Sequence, residues 1–260
     1  MAAHQGTAVV TGASRGIGRA VALELARRGH PVLATMRDPE AGASLPDESD
    51  GRIRVQRLDV CDPGTIALPD DLAVLVNNAG IERDYLPVEH APMDQWREVF
   101  ETNVFGLVEV TRRAVPLLRA NGGGVICNVT SSSILVPMPF YAVYRASKAA
   151  VTTLGESLRA EVAPFGIRVL EILPGPIDTD MLAGSARLPE AADHAGYEDL
   201  ARAGYEGRMA VEPMTTSAAD AAVAVVDAIE DPEAPFKAGC DPLARDLLST
   251  WLAGPDTLLG

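Results

Sequence analysis

The chain has 260 residues, 47% hydrophobic and 22% charged, with 22 basic against 36 acidic side chains and a net charge of −14. It is long enough for one large α/β domain with a substantial core. Its acidity, without any basic tract, argues against a nucleic-acid or anionic-membrane surface, so no nucleic acid and no membrane are expected as partners.

No apolar run approaches the ~18 residues of a membrane span. The opening "MAAHQG" enters an apolar run without a leader-peptide pattern. Three scattered cysteines (Cys61, Cys127, Cys240) read as reduced thiols of a cytoplasmic protein, and the four histidines form no metal motif.

In chain order, "TAVVTG" reads as a strand and "RAVALELARRG" as a helix closed by Gly29. "PVLATMR", "IRVQRLDV", "LAVLVNNAG", "GGVICNVTSS" and "IRVLEILPG" follow as strands two to six. Their nearly continuous apolar character suits strands buried on both faces of a parallel sheet. The expected fold is a single Rossmann-type, doubly wound parallel sheet with helices on both faces, residues 1–260 forming one domain, with ligands at the carboxyl ends of the strands. Only residues 61–72, containing Pro63, Gly64 and Pro69, join the third strand to the fourth. A parallel crossover with a full helix takes about a dozen residues or more, so a short or irregular connection is expected there.

"TGASRGIG" lies between the first strand and the first helix, with Gly12, Gly16 and Gly18 spaced G-x-x-x-G-x-G. Glycines permit the tight turn, and free N–H groups at the helix start attract phosphate. A ligand-free tight turn is the alternative. The second strand ends Thr35-Met36-Arg37, with Asp38 after the cation, where an NAD-binding turn usually carries an acid. Arg37 and Arg15 together favour an additional phosphate on the ribose, hence NADP(H) over NAD(H). A surface pairing of Arg37 with Asp38 or Glu40 is the competing reading.

In "YAVYRASKAA", Tyr141 precedes Arg145 and Tyr144 precedes Lys148 by four residues, so either pair could set a phenol beside a cation on one helix face. Upstream, Asn103 falls on a helical apolar stripe with Trp96, Phe100, Leu107 and Leu118, and a buried amide must find partners. Pro116 is expected to bend that helix near its end.

"TGASRGIG", "NNAG" (77–80), "ETNVFG" (101–106), "NVTSSS" (128–133), "YRASK" (144–148) and "PGPIDT" (174–179) stand in an order and spacing that resembles the short-chain dehydrogenase/reductases, from about residue 5 to about 180. The resemblance implies that Tyr144, with Lys148 four residues on and Ser131 thirteen before, is the acid/base. Ser131 would bind the substrate oxygen, with Ser132 and Ser133 as substitutes, and Tyr141 would line the substrate cleft. A free phenol titrates near pKa ~10, and a neighbouring ammonium is expected to lower that value. Asn103 would hold a water in a proton relay reaching Lys148. For the cofactor, the resemblance implies Gly12, Ser14, Arg15, Gly16, Ile17, Gly18 and Arg37 at the phosphates and ribose, and Asp59 and Val60 beside the adenine. Asn78, Ala79, Gly80, Tyr144, Lys148, Pro174, Gly175, Ile177 and Thr179 would complete that site.

The shortened 61–72 connection and the C-terminal region depart from the family pattern. After a helix, a Pro-rich turn and another short amphipathic helix close the chain, which with "VLATMRDP" looks more like the branch acting on steroids, retinoids and similar lipophilic alcohols. A homodimer through the helices of Asn103 and Tyr144 is expected, with a tetramer as the alternative. Residues from about 180 to 212, with Met181, Leu182, Tyr197 and Tyr205, are expected to form a substrate lid.

The leading expectation is an NADP(H)-dependent oxidoreductase acting on a small-molecule ketone or secondary alcohol. An NAD(H)-dependent alcohol dehydrogenase, a non-catalytic nucleotide-sensing regulator and a relative performing epimerisation or dehydration are the alternatives.

Overall fold

The computed structural model describes residues 6–185 and 187–254. "MAAHQ", used in the leader-peptide argument, and Ala186 of the expected lid lie outside the described residues, as do residues 255–260 of the expected domain. Seven strands make one sheet: β1 (Thr7–Thr11), β2 (Val32–Met36), β3 (Ile53–Arg57), β4 (Leu72–Asn77), β5 (Gly124–Val129), β6 (Ile167–Leu173) and β7 (Lys237–Gly239). Their order is β3-β2-β1-β4-β5-β6-β7, every neighbouring pair parallel. The order reverses between β1 and β4, which opens a crevice at their carboxyl ends.

The helices are α1 (Gly16–Arg27), α2 (Leu45–Glu48), α3 (Met93–Phe100), α4 (Leu107–Ala120), α5 (Ala142–Val162), α6 (Asp180–Gly184), α7 (Glu198–Ala210), α8 (Ala218–Glu230) and α9 (Pro242–Ala253). Alternate strand residues go to opposite faces. Ala8 and Val10 pack with Val21 and Leu25 of α1 and Val225 and Ile229 of α8. Val9 packs on the other side with Val110, Ala114 and Leu118 of α4. Two covered faces therefore account for the unbroken apolar strands. Gly29, at φ 98°, ends α1 as expected. Its N–H reaches the carbonyl of Ala26 at 2.9 Å and the next N–H, of His30, reaches Leu25 at 3.0 Å, which closes two orphan carbonyls.

Between β3 and β4 there is only a 3-10 turn, Pro63–Thr65, capped by the Asp62 carboxylate, so the short connection is real. Two features depart from expectation. A strand, β7, occupies the place read as a Pro-rich turn, bonded only to β6. And the helix carrying Asn103 is not uniform, for Glu101–Gly106 forms a π-helical segment between α3 and α4.

Candidate active site

A cleft of about 950 Å³ runs from the glycine turn across the ends of β1, β4, β5 and β6 to α9. Its first wall is the glycine turn. Gly12 and Gly16 have φ of 66° and 55°, and a Cβ on Gly12 would sit 2.8 Å from the Cα of Ala79. A Cβ on Gly18 would strike the Asn78 amide and the Gly12 carbonyl. Only glycine allows this approach. Asn78 ties the two crossing segments together by donating Nδ2 to the carbonyls of Thr11 (3.0 Å) and Gly12 (3.1 Å). The hydroxyl of Thr11 accepts the N–H groups of Asn78 and Ala79, each at 3.1 Å.

No side chain caps α1: Arg15 stands at its N-cap without a side-chain bond to the first turn, and Ser14, Gly16 and Ile17 line the cleft beside it. That cradle, closed to a Cβ and open at a helix N-terminus, fits a dinucleotide pyrophosphate. Further along, Arg37 makes no ion pair with Asp38 or Glu40; Asp38 instead accepts the Glu40 N–H at 3.1 Å. Arg15 pairs with Asp180 at 3.2 Å, both well exposed. Asp59 and Val60 line the same end, Asp59 accepting the Cys61 N–H at 3.0 Å.

Thr179 closes the opposite side. It caps α6 by accepting the Leu182 N–H (3.3 Å), donates to the Ile177 carbonyl (3.2 Å), and its methyl would touch a Cβ on Gly16 at 3.1 Å. Gly175 donates its N–H to Asp241 at 2.6 Å, in space a Cβ would fill. Pro174, Gly175, Ile177 and Thr179 all border the cleft.

At its centre, α5 presents Tyr144 and Lys148. The buried Lys148 ammonium donates to the Val129 carbonyl at 3.0 Å and lies 5.7 Å from the Tyr144 ring centroid. Desolvation lowers its pKa to about 8, against an upward pull from Glu82. The Ser131 hydroxyl lies beside that of Tyr144 and favours its ionisation. The expected lowering of the Tyr144 pKa is corrected here. Burial dominates and pushes the phenol up, and the Glu82 carboxylate adds to the rise.

Arg145 is not Tyr141's partner; its Nε donates to the Ser133 carbonyl at 2.7 Å and so pins the serine run. Tyr141 lines the cleft, stacked on Tyr85 with centroids 4.3 Å apart. Asn103 is buried and satisfied: Oδ1 accepts the Ile81 N–H (2.8 Å), and Nδ2 donates to the Ile81 carbonyl (2.9 Å) and Ser147 Oγ (3.0 Å). Its side chain therefore clamps the loop after β4 at Ile81. A Cβ on Gly80 would stand 3.3 Å from both Asn103 Oδ1 and Lys148 Nζ.

Met181, Leu182 and Tyr205 line the cleft, but Tyr197 does not. Its hydroxyl donates to Glu89 at 3.0 Å and its ring stands edge-on to His90 and Phe140. Among the cleft residues that the sequence did not single out are Glu82, Tyr85 and Arg208. Glu82 had a signal, being two residues beyond Gly80. Arg208 donates Nε to Ser185 at 3.3 Å, and its Nη1 is enclosed with no acceptor among the described residues.

The family model for short chain dehydrogenases matches residues 6–188. The chain belongs to the short-chain dehydrogenase/reductase family. It is 40% identical over 73% of its length, and 72% of the relative's, to the uncharacterized oxidoreductase YusZ of Bacillus subtilis. It is also 35% identical over 77% of its length, and 81% of the relative's, to 3beta-hydroxysteroid dehydrogenase 1 of Eggerthella lenta. Among solved structures, a short chain dehydrogenase from Burkholderia cenocepacia in complex with NADP matches with a TM-score of 0.77 and 29% identity, over 99% of this chain and 97% of that one. This short-chain dehydrogenase/reductase is thus an oxidoreductase with the family's Rossmann-like sheet. Among the described residues no helix is long and apolar enough to cross a membrane, and no three ligating side chains cluster for a metal.

Proposed function

We propose that this protein uses NADP(H) to interconvert a ketone and a secondary alcohol, as one catalytic domain in the cytoplasm. The convergence of Tyr144, Ser131 and Lys148 on one point of the cleft carries the reading. When bound, the nicotinamide gives or takes the hydride. Ser131 and Tyr144 would hydrogen-bond the substrate oxygen and fix it. Tyr144 would give its proton to the forming alkoxide, or take it in the reverse direction. Lys148 uses one donor on Val129 and has two left for the ribose hydroxyls and for replacing the phenol's proton. Asn103 would contribute to that relay through its main chain, since its side chain is spent on Ile81 and Ser147. Residues from about 180 to 212 would act as the lid.

An apolar body suits the substrate. Val136, Met138, Leu182, Leu243 and Leu247 border its half of the cleft, and the steroid-acting relative is in keeping with this. Offered NADPH or NADH with a panel of aliphatic, aryl and steroidal ketones, the enzyme should oxidise NADPH stoichiometrically with alcohol formation. Cofactor binding without turnover of any ketone or alcohol would favour a nucleotide sensor instead.

A homodimer through α4 and α5 is part of the proposal, supported by Phe105, 58% exposed at the end of the π-helical segment. Light scattering should give twice the chain mass of 27.4 kDa; a monomer or tetramer would refute it.

A further inference from the structure

Glu82 has no counter-ion within ion-pair distance among the described residues, and Tyr85 is its side-chain hydrogen-bonding neighbour; it borders the cleft beside the proposed reacting centre. It is held there by its neighbour, because Ile81 is clamped through both backbone groups by the Asn103 amide. The charged and titratable groups that face it are Tyr85 of its own loop, Tyr141, Tyr144 and Lys148 of α5, and Arg187 of the expected lid. Arg187 is already engaged by Glu190 at 2.7 Å, and Lys148 is directed to Val129. The buried Tyr85 hydroxyl faces both Glu82 and Tyr141. A carboxylate set among phenol rings, with a tyrosine hydroxyl as its side-chain donor and its nearest cations held off on other partners, fits an organic cation, which brings a direct charge partner and can rest on aromatic faces.

We infer that Glu82 is a specificity-determining residue that takes a cationic ammonium substituent of the substrate, so that this enzyme acts on amino ketones or amino alcohols with an apolar body. The inference rests on the proposed ketone–alcohol reaction but concerns a different residue. Burial raises the Glu82 pKa to about 7, the direction expected of a carboxyl short of partners. A permanent cation should therefore be favoured increasingly as pH rises through about 7.

The test compares phenacyl trimethylammonium with neopentyl phenyl ketone, which has the same shape without the charge. Neither substrate titrates, so the ratio of their kcat/KM values cancels the ionisation of Tyr144 and Lys148. In the wild type that ratio should rise as Glu82 ionises. In Glu82→Gln it should fall about tenfold, roughly the worth of one partly buried charge contact, and lose its pH dependence. A ratio unmoved by the substitution, including equal losses on both ketones as expected of a mere counter-charge to Lys148, would overturn the inference while leaving the ketone reaction standing. If neither ketone is turned over, the reaction assigned above fails for them. Calorimetric titration of phenacyl trimethylammonium, with and without NADP+, then reads the subsite alone. Binding at least about tenfold weaker in Glu82→Gln would uphold it, and equal binding would refute it.

Discussion

Tyr144→Phe should lower kcat/KM about a thousandfold, within the range that general acid–base catalysis supplies, while Tyr141→Phe should raise KM by less than about tenfold, the size of one lost neutral hydrogen bond. The two phenols stand three residues apart on one helix, yet their surroundings divide them. Tyr144 has the Ser131 hydroxyl beside its own and the Lys148 ammonium 5.7 Å from its ring centroid. Tyr141 stacks on Tyr85 and has an arginine four residues on that points to Ser133 instead. Removing the Tyr141 hydroxyl leaves that stack in place. Steady-state kinetics on one ketone, with circular dichroism to confirm folding, would decide between them. Equal losses from both substitutions would remove the basis for assigning the proton to Tyr144.

Much of this architecture is legible in the sequence because a strand buried on two faces must be apolar at nearly every position, as in "LAVLVN" of β4, all six residues buried and only Asn77 polar. The three-residue β7, "KAG", has no such pattern; it exists only because β6 offers it an edge. The π-helical turn was equally hidden. Periodicity places Asn103 on a buried stripe, but the partners that satisfy it, Ile81 and Ser147, lie 22 and 44 residues away. Local motifs pointed to Tyr144, Lys148 and the glycine turn, all of which border the cleft, since their geometry is set by spacing within one element or turn. Glu82, Tyr85 and Arg208 come from loop and lid segments whose placement is set by tertiary contacts. Tyr197 shows the converse: it shares the lid's composition yet turns to Glu89 and His90.

Arg37→Ala should reduce kcat/KM for NADPH by about 10- to 100-fold, the worth of one charge-assisted hydrogen bond, and leave kcat/KM for NADH nearly unchanged. The reason lies in where the carboxylates go. An NAD-type site needs an acid free to accept the ribose hydroxyls at the end of β2. Here the acid that directly follows that end, Asp38, accepts the Glu40 N–H and caps the following turn. Arg37 is left exposed at the cleft with no ion-pair contact among the described residues, feeling Glu98 only through space. Arg15 adds a second guanidinium, and its bond to Asp180 joins side chains 74% and 71% exposed. A pair so hydrated contributes little, so a phosphate can displace Asp180 at small cost. Arg15→Ala should act in the same direction, and the double variant should bring the two cofactors close to parity. Equal losses with NADPH and NADH in Arg37→Ala would mean that the guanidinium supports the fold of the turn rather than reading a phosphate.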